Sequence, residues 1–377
     1  MGAVDRGDWN RLATAAPTPF LEWEWLELLE SSGSIAPHRG WEPQHLTVWH
    51  HDLLVAAAPF YIKQDSEAEF IFDHPWAEVA AQIGAAYYPK LVGTVPVTPL
   101  AGYRFLIDPA HDASRLTRLM AKWAMEHCRT LGLGGCHLLF VDPDACPLLT
   151  EAGFQAWHHH GFVWRNNNYS GFEAFLERFT RNQRRNIRRE RRNLTRSGIQ
   201  VAACTGQEIP EDFFAQMYHW YVHTNQRYGP WGGCYLTPAF FTGLSSRWRH
   251  RLLFTAGRTA ADPGAPPLGM AMLVYKGKRL YGRYWGGDPS VPLLHFEACY
   301  YRPIQWAIEN DVETFDPGMG GAHKLRRGFV SRPALSLHRF IDPRLTAVMA
   351  AHIDRINRLE DQQIEALNLA MPLRPQN

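Results

Sequence analysis

Several features that would place a chain at once are missing here. Six cysteines (Cys128, Cys136, Cys146, Cys204, Cys234 and Cys299) are scattered along 377 residues, with no C-x-x-C pair among them. That spacing argues against a structural zinc site and reads as reduced thiols of a cytoplasmic protein. No apolar run approaches the roughly 18 residues that a membrane span needs. The opening stretch MGAVDRGDWNRL lacks the apolar core of a secretory signal. His158, His159 and His160 adjoin, but successive side chains point in different directions. The run therefore reads as a loop end before a strand at 162–164, with no metal expected. Nothing has the form of a helix-turn-helix or zinc module, which argues against sequence-specific DNA binding. Net charge is also nearly absent, at +2.

What is present is apolar mass and one local excess of charge. At 46% hydrophobic and 13% aromatic residues the chain can build substantial cores, and its length suits two domains. Between Arg178 and Arg196 stand nine arginines and one acid, Glu190, a net +8 that leaves −6 for the remainder. A basic element on a mildly acidic protein points to an anionic partner. Arg181, Arg184 or Arg185, Arg188, and Arg191 or Arg192 recur at three- and four-residue spacing and so form a stripe. Phosphate is the obvious counterpart, and a solvated face is the plain alternative.

Patterning divides the chain into similar halves. The first reads as a helix at 19–32, paired strands at 41–50 and 53–62, and a short strand at 69–73. A helix at 77–83, a strand-rich stretch to 107, a helix at 116–131 and a buried strand at 136–141 follow. In the helix at 116–131 the apolar positions are Leu116, Leu119, Met120, Trp123, Ala124 and His127. The second half reads as a basic helix over 172–196, a strand at 201–204, helices at 212–226 and 238–248, and strands at 251–257 and 268–275. The expected division is 1–165, 166–342 and a helical tail at 343–377, with Asn166, Asn167 and Asn168 as the hinge. The fold class expected is α/β, each domain a mixed sheet flanked by helices.

The richest stretch runs from Arg279 to Phe329. A strand at 280–285 is followed by a helix at 294–310, a strand at 312–315 and a glycine-rich loop, which reads as an α/β crossover. Open α/β sheets bind ligands at the carboxyl ends of such strands. Glu297, His323 and Asp316 are candidate bases there, and Tyr284 is a candidate proton donor. Lys324 can stabilise an oxyanion or a phosphate, and the N–H groups of Gly318, Gly320 and Gly321 can cradle an anion. Arg283, Trp285 and His295 complete the lining. Each has a plainer reading: Glu297 suits a helix N-terminus, His295 and His323 can be ordinary hydrogen-bonded histidines, and Lys324, Arg326 and Arg327 can be a solvated patch.

The segments PFLEWEWLELLESSGS, VAAAPFYIK, FDHPWAE, YYPKLVGTVPVTPLAG, RRNIRRERR, YLTPAFF, LYGRYWGG, HFEACYY and HKLRRGF, taken in this order, resemble the bacterial N-acyltransferases of the peptidoglycan biosynthesis/recognition family. These are a Fem-type branch of the GNAT superfamily. The resemblance implies tandem GNAT-like domains, with the acyl donor held where two neighbouring strands splay apart. It implies an aminoacyl or acyl transferase forming an amide, with aminoacyl-tRNA or acyl-CoA as co-substrate and no tightly bound cofactor. Lys324 falls where Fem-type proteins carry a lysine, and RRNIRRERR where they carry a basic helical element. Arg184, Arg185 and Arg188 would then hold phosphates of tRNA, nucleotide or CoA, and Trp76, Tyr88 and Lys90 would line the site of a small-molecule amine acceptor. Two departures matter. Gly320 and Ala322 stand where relatives carry Gln and Glu, and no Q/R-x-x-G-x-G/A pyrophosphate loop is evident. The first leaves open a non-catalytic binder of tRNA or of a cell-wall precursor; the second favours aminoacyl-tRNA over acyl-CoA.

Overall fold

A computed structural model describes residues 1–229, 232–262 and 264–374. The chain forms two units, 1–160 with 333–363 and 161–332 with 364 onward. The cut therefore falls ahead of the expected Asn166–Asn168 hinge. The expected tail is not a body of its own, and 375–377 lie outside the described residues.

The first unit opens with α1 (Arg6–Ala13), capped by Asp5, and α2 (Trp23–Ser31). The strands β1 (Glu42–Pro43), β2 (Leu46–His50), β3 (Leu53–Ala58) and β4 (Phe60–Lys63) follow, then α3 (His74–Gln82) and the strands β5 (Lys90–Gly93) and β6 (Leu106–Ile107). The helix α4 (Ala113–Thr130) leads to β7 (Gly135–Val141), α5 (Cys146–Glu151) and β8 (Gln155–Arg165). β7 is buried along its whole length, which suits a central strand flanked by β5 in parallel and by a later strand in antiparallel. β2, β3 and β6 form a separate antiparallel sheet.

Three expectations fail here for local reasons. The stretch 69–73 is not a strand, because Ala68 and Phe70 adopt left-handed φ of 62° and the chain turns on itself. Between β5 and β6 the backbone is irregular, since Pro96 and Pro99 supply no ladder donors. The histidines at 158–160 lie inside β8 rather than in a loop. In α4 the buried face is Thr117, Met120, Ala121, Ala124, Met125 and Cys128, while Leu119 and Trp123 are exposed. Small residues on the inner face allow close packing, so the bulkier stripe is left outside.

The second unit carries α6 (Phe172–Leu176), α7 (Arg181–Arg196), β9 (Ile199–Thr205), α8 (Asp212–Gln226) and α9 (Pro238–Arg247). The antiparallel strands β10 (Leu252–Thr259), β11 (Gly269–Lys276) and β12 (Arg279–Gly287) come next. The turn joining β10 to β11 includes Pro263, which is outside the described residues. After β12 come a helical turn α10 (Leu294–Phe296), a π turn at Glu297–Tyr301, and α11 (Arg302–Glu309). Then comes β13 (Thr314–Asp316), after which the chain returns to the first unit for most of β14 (Val330–Phe340) and of the long α12 (Pro343–Leu369). Neither α1 nor β14 was expected from the sequence. The sheet of this unit runs β8-β13-β12-β11-β10-β9, with β12 and β13 parallel across the crossover.

The expected basic helix over 172–196 is interrupted. Phe179 is fully buried and the Thr180 N–H donates to the Pro372 carbonyl at 2.9 Å, so the chain leaves helical geometry between α6 and α7. The core beneath is aromatic, with Trp164, Phe172, Phe175, Tyr300, Tyr301, Phe315 and Phe329 buried together.

Candidate active site in the second unit

The parallel pairing of β12 with β13 covers only Arg279, Leu280 and Tyr281 against Thr314, Phe315 and Asp316. β12 then runs on to Gly287 with β11 as its partner. Its other edge therefore opens beyond Tyr281, beside the glycine loop. The β11–β12 register shifts so that Met272 faces Tyr284 and Leu273 faces Gly282, leaving Arg283 as a bulged residue.

Alternation along β12 separates residues the sequence had grouped. Trp285 packs on the His295 ring at 5.3 Å. Tyr284 packs instead on Tyr221 and Phe241, and its hydroxyl accepts from Arg283 Nη2 at 2.6 Å. Burial raises the Tyr284 pKa, against the pull of Arg283. Tyr284 is not brought to the histidines and is a poorer acid than a free phenol.

The glycine loop follows β13. Gly318, Gly320 and Gly321 take φ of 80°, 76° and 82°, which L side chains rarely adopt. A Cβ at Gly321 would fall 2.3 Å from His323 Cε1, so glycine is what lets the imidazole lie against the loop. Asp316 is spent on structure: Oδ1 accepts from the Gly318 N–H at 3.0 Å and Oδ2 pairs with Arg332 at 2.8 Å. Lys324 is buried, its Nζ donating to the carbonyls of Gly318 at 2.7 Å and Met319 at 2.8 Å. Burial lowers its pKa to about 8, with Asp316 pulling the other way. His323 Nε2 lies 2.9 Å from the Tyr300 hydroxyl. Burial, then Arg327 and Lys324, depress the His323 pKa, and burial with His323 brings His295 to about 4.

Glu297 is not a free base. Arg191 holds its carboxylate through Nε and Nη2 at 2.8–3.1 Å, and the same guanidinium reaches Gln305 Oε1 and lies 4.4 Å from the Phe172 ring. The lone acid of the basic helix is similarly engaged, since Glu190 pairs with Arg327 at 3.1 Å and accepts from the Tyr301 hydroxyl. Arg188 pairs with the exposed Glu173. Arg184 is half-buried, whereas Arg181, Arg185 and Arg192 are exposed. Among the described residues none of these last three side chains has an ion-pair or hydrogen-bond partner. Arg188, Arg191, Arg192, Thr195, Gln200 and Glu297 line a cavity of about 500 Å³ beside α7. Sequence reasoning missed Tyr300, Arg327 and the anchoring role of Arg191, each of which depends on contacts across the fold.

The residues expected in the first half occupy a closed cluster of the first unit. Lys90 is fully buried, with Nζ 2.8 Å from Glu69, 2.5 Å from Asp73 and 2.7 Å from Ser66. Trp76 is 5% exposed within an apolar cluster, and the Tyr88 hydroxyl bonds to Ser66. Lys90 and Trp76 thus present almost no surface to a ligand.

A comparison with curated proteins returns no match. Among solved structures, FemX superposes with a TM-score of 0.56 at 11% identity, over 92% of this chain and 98% of that one. The C-terminal domain of a protein named as a lysylphosphatidylglycerol synthetase, from Agrobacterium fabrum, gives 0.57 at 11% identity, covering 94% and 97%. L-PGS from Bacillus licheniformis gives 0.50 at 11%, covering 95% and 98%. At such identity these likenesses carry the fold alone. The family described as FemAB-like, peptidoglycan biosynthesis/recognition, matches residues 1–375, and the chain belongs to that family.

Proposed function

We propose that this chain transfers an aminoacyl group from an aminoacyl-tRNA to an amine, forming an amide. The observation that carries the proposal is the early end of the β12–β13 pairing, which leaves an open strand edge beside Lys324 and His323. In this reading the acceptor nitrogen attacks the ester carbonyl carbon. The C–N bond forms, the C–O bond to the ribose breaks, and the ribose oxygen leaves with a proton. His323, neutral because of its surroundings, takes the proton of the attacking amine, with Tyr300 fixing the ring. The N–H groups of Gly320 and Gly321 offset the charge growing on the carbonyl oxygen, and the buried Lys324 ammonium adds its charge from behind the loop it holds. Glu297 and Asp316 act on geometry rather than on protons. The family's name makes a cell-wall precursor the natural source of the amine.

Phosphates of the donor would lie along α7. A helix of this length spans about 24 Å, and the unpaired Arg181, Arg185 and Arg192 are better suited to them than Arg188. The test is a binding titration of the full chain against charged tRNA and against acetyl-CoA at two salt concentrations. The expected result is salt-sensitive tRNA binding whose log–log slope falls by about 2 in Arg181→Ala/Arg185→Ala/Arg192→Ala. Saturable acetyl-CoA binding with no response to tRNA would overturn the choice of donor. Tight tRNA binding without amide formation on any amine supplied would leave a binder and sink the catalytic role.

A further inference from the structure

The helix after β12 contains a turn whose backbone bonds do not balance on their own. In the π turn the Arg302 N–H donates to the Glu297 carbonyl, five residues back. The same register would serve the Ala298 carbonyl from the N–H of residue 303. That residue is Pro303 and has none. A buried carbonyl left in this state is costly. The missing donor comes from another element: Thr255 Oγ1, on the fully buried β10 residue Thr255, reaches the Ala298 carbonyl at 2.6 Å. Pro303 also bars the ordinary α register at this point, since its ring would collide with the carbonyl of Cys299. The extra residue that the π turn accommodates sets the direction of every side chain in it. Glu297 meets Arg191, Tyr300 meets His323 and Tyr301 meets Glu190.

We infer that Thr255 is a positioning residue, which together with Pro303 locks the π turn in the register that aims the Tyr300 hydroxyl at His323. The importance of that aim rests on the proposed role of His323, but the geometry is testable without any transfer assay. The bond between the Tyr300 hydroxyl and Nε2 favours one protonation state of the ring over the other, so losing it shifts the His323 titration midpoint.

The experiment is an NMR titration of the histidine ring protons in the full chain, with the His323 resonance identified by its absence in His323→Gln. Tyr300→Phe sets the value without the bond. Thr255→Val is expected to move the midpoint towards that value, by about half a unit or more, and Thr255→Ser is expected to keep the wild-type midpoint. Where Thr255→Val does not fold, Thr255→Val/Pro303→Ala keeps the question open to measurement, because without the proline ring the turn can take the α register, in which the Arg302 N–H serves the Ala298 carbonyl. Freed of both locks, that variant is expected to titrate like Tyr300→Phe. A wild-type midpoint in Thr255→Val, or in the double variant, would overturn the inference and leave Thr255 a packing residue. Transferase activity retained in His323→Gln would instead sink the proposed function and leave the titration result standing.

Discussion

Lys324 shows how one buried side chain can be both support and reagent. Its ammonium bonds two loop carbonyls, so removing it loosens the glycine loop as well as the charge beside the slot. In Lys324→Ala, kcat/KM should fall by more than about tenfold, equivalent to about 1.4 kcal/mol. The pH profile separates the two effects. His323 has a depressed pKa and remains a base on the acid side of its ordinary range. Lys324 is charged below its pKa of about 8 and loses that charge as pH rises through it. Activity should therefore show an alkaline limb near pH 8, fully developed below it, and that limb should vanish in Lys324→Ala. A limb that persists in the variant would assign it to another group. His323 and Lys324 stood out in the sequence because they come just after a glycine-rich stretch. Glu297 was misread because its partner, Arg191, is 106 residues away in the chain.

At the scale of elements, the arginines of α7 fall into two kinds that composition cannot tell apart. Arg191 is bound into the fold through Glu297, Gln305 and Phe172, whereas Arg192, its neighbour, points to solvent. Arg191→Ala leaves the buried Glu297 carboxylate without its counter-charge. The expected cost is about 2–3 kcal/mol, somewhat under the range for a fully buried pair because Arg191 retains some exposure. Arg192→Ala should leave stability within about 0.5 kcal/mol. Equal unfolding midpoints in urea for the two variants would refute the distinction. The same limit explains the element boundaries. Patterning gave β12, β13 and the crossover, since aromatics alternate along β12 and Gly286, Gly287 and Pro317 break the pattern where each strand ends. It could not give the break between α6 and α7, which depends on Pro372 far along the chain. Nor did it give the π turn, whose cause is one proline and a threonine from β10.

Both units hold histidines whose pKa burial depresses, His295 of the second unit among them, and these govern how the whole molecule should respond to acid. The first unit carries a chain of buried and half-buried side chains in which His137 Nδ1 meets His338 Nδ1 at 2.7 Å. From there His338 Nε2 meets Ser336 at 2.7 Å, and Ser336 meets His159 at 2.5 Å. The bond between the two Nδ1 atoms needs one donor and one acceptor, so at least one of these imidazoles must be neutral. Burial depresses all three, His159 to about 4, His338 to about 3 and His137 well below its ordinary value. A depressed folded-state pKa means that the unfolded chain binds more protons below pH 6.5. Stability is then complete above that pH and is lost as pH falls towards the folded values. For His159 alone the loss between pH 6.5 and 4 is on the order of 3 kcal/mol. Glu69 works in the opposite direction. Burial and the neighbouring Asp73 raise it to about 7 against the pull of Lys90, so its contribution grows as pH falls from 7 towards 4.5. Asp73 is held low by Lys90, Ser66 and Tyr87 although burial opposes this, and it adds its loss only at lower pH. Three histidines outweigh one carboxylate, so the net expectation is a fall in melting temperature from pH 7 to pH 5, before ordinary carboxylates titrate. Calorimetry across that interval is the check. His159→Gln, which keeps a donor for Ser336 without a titrating ring, should flatten the slope. A melting temperature that is level from pH 7 to pH 5, or a slope unchanged in His159→Gln, would show that the buried imidazoles do not set the acid limit of this fold.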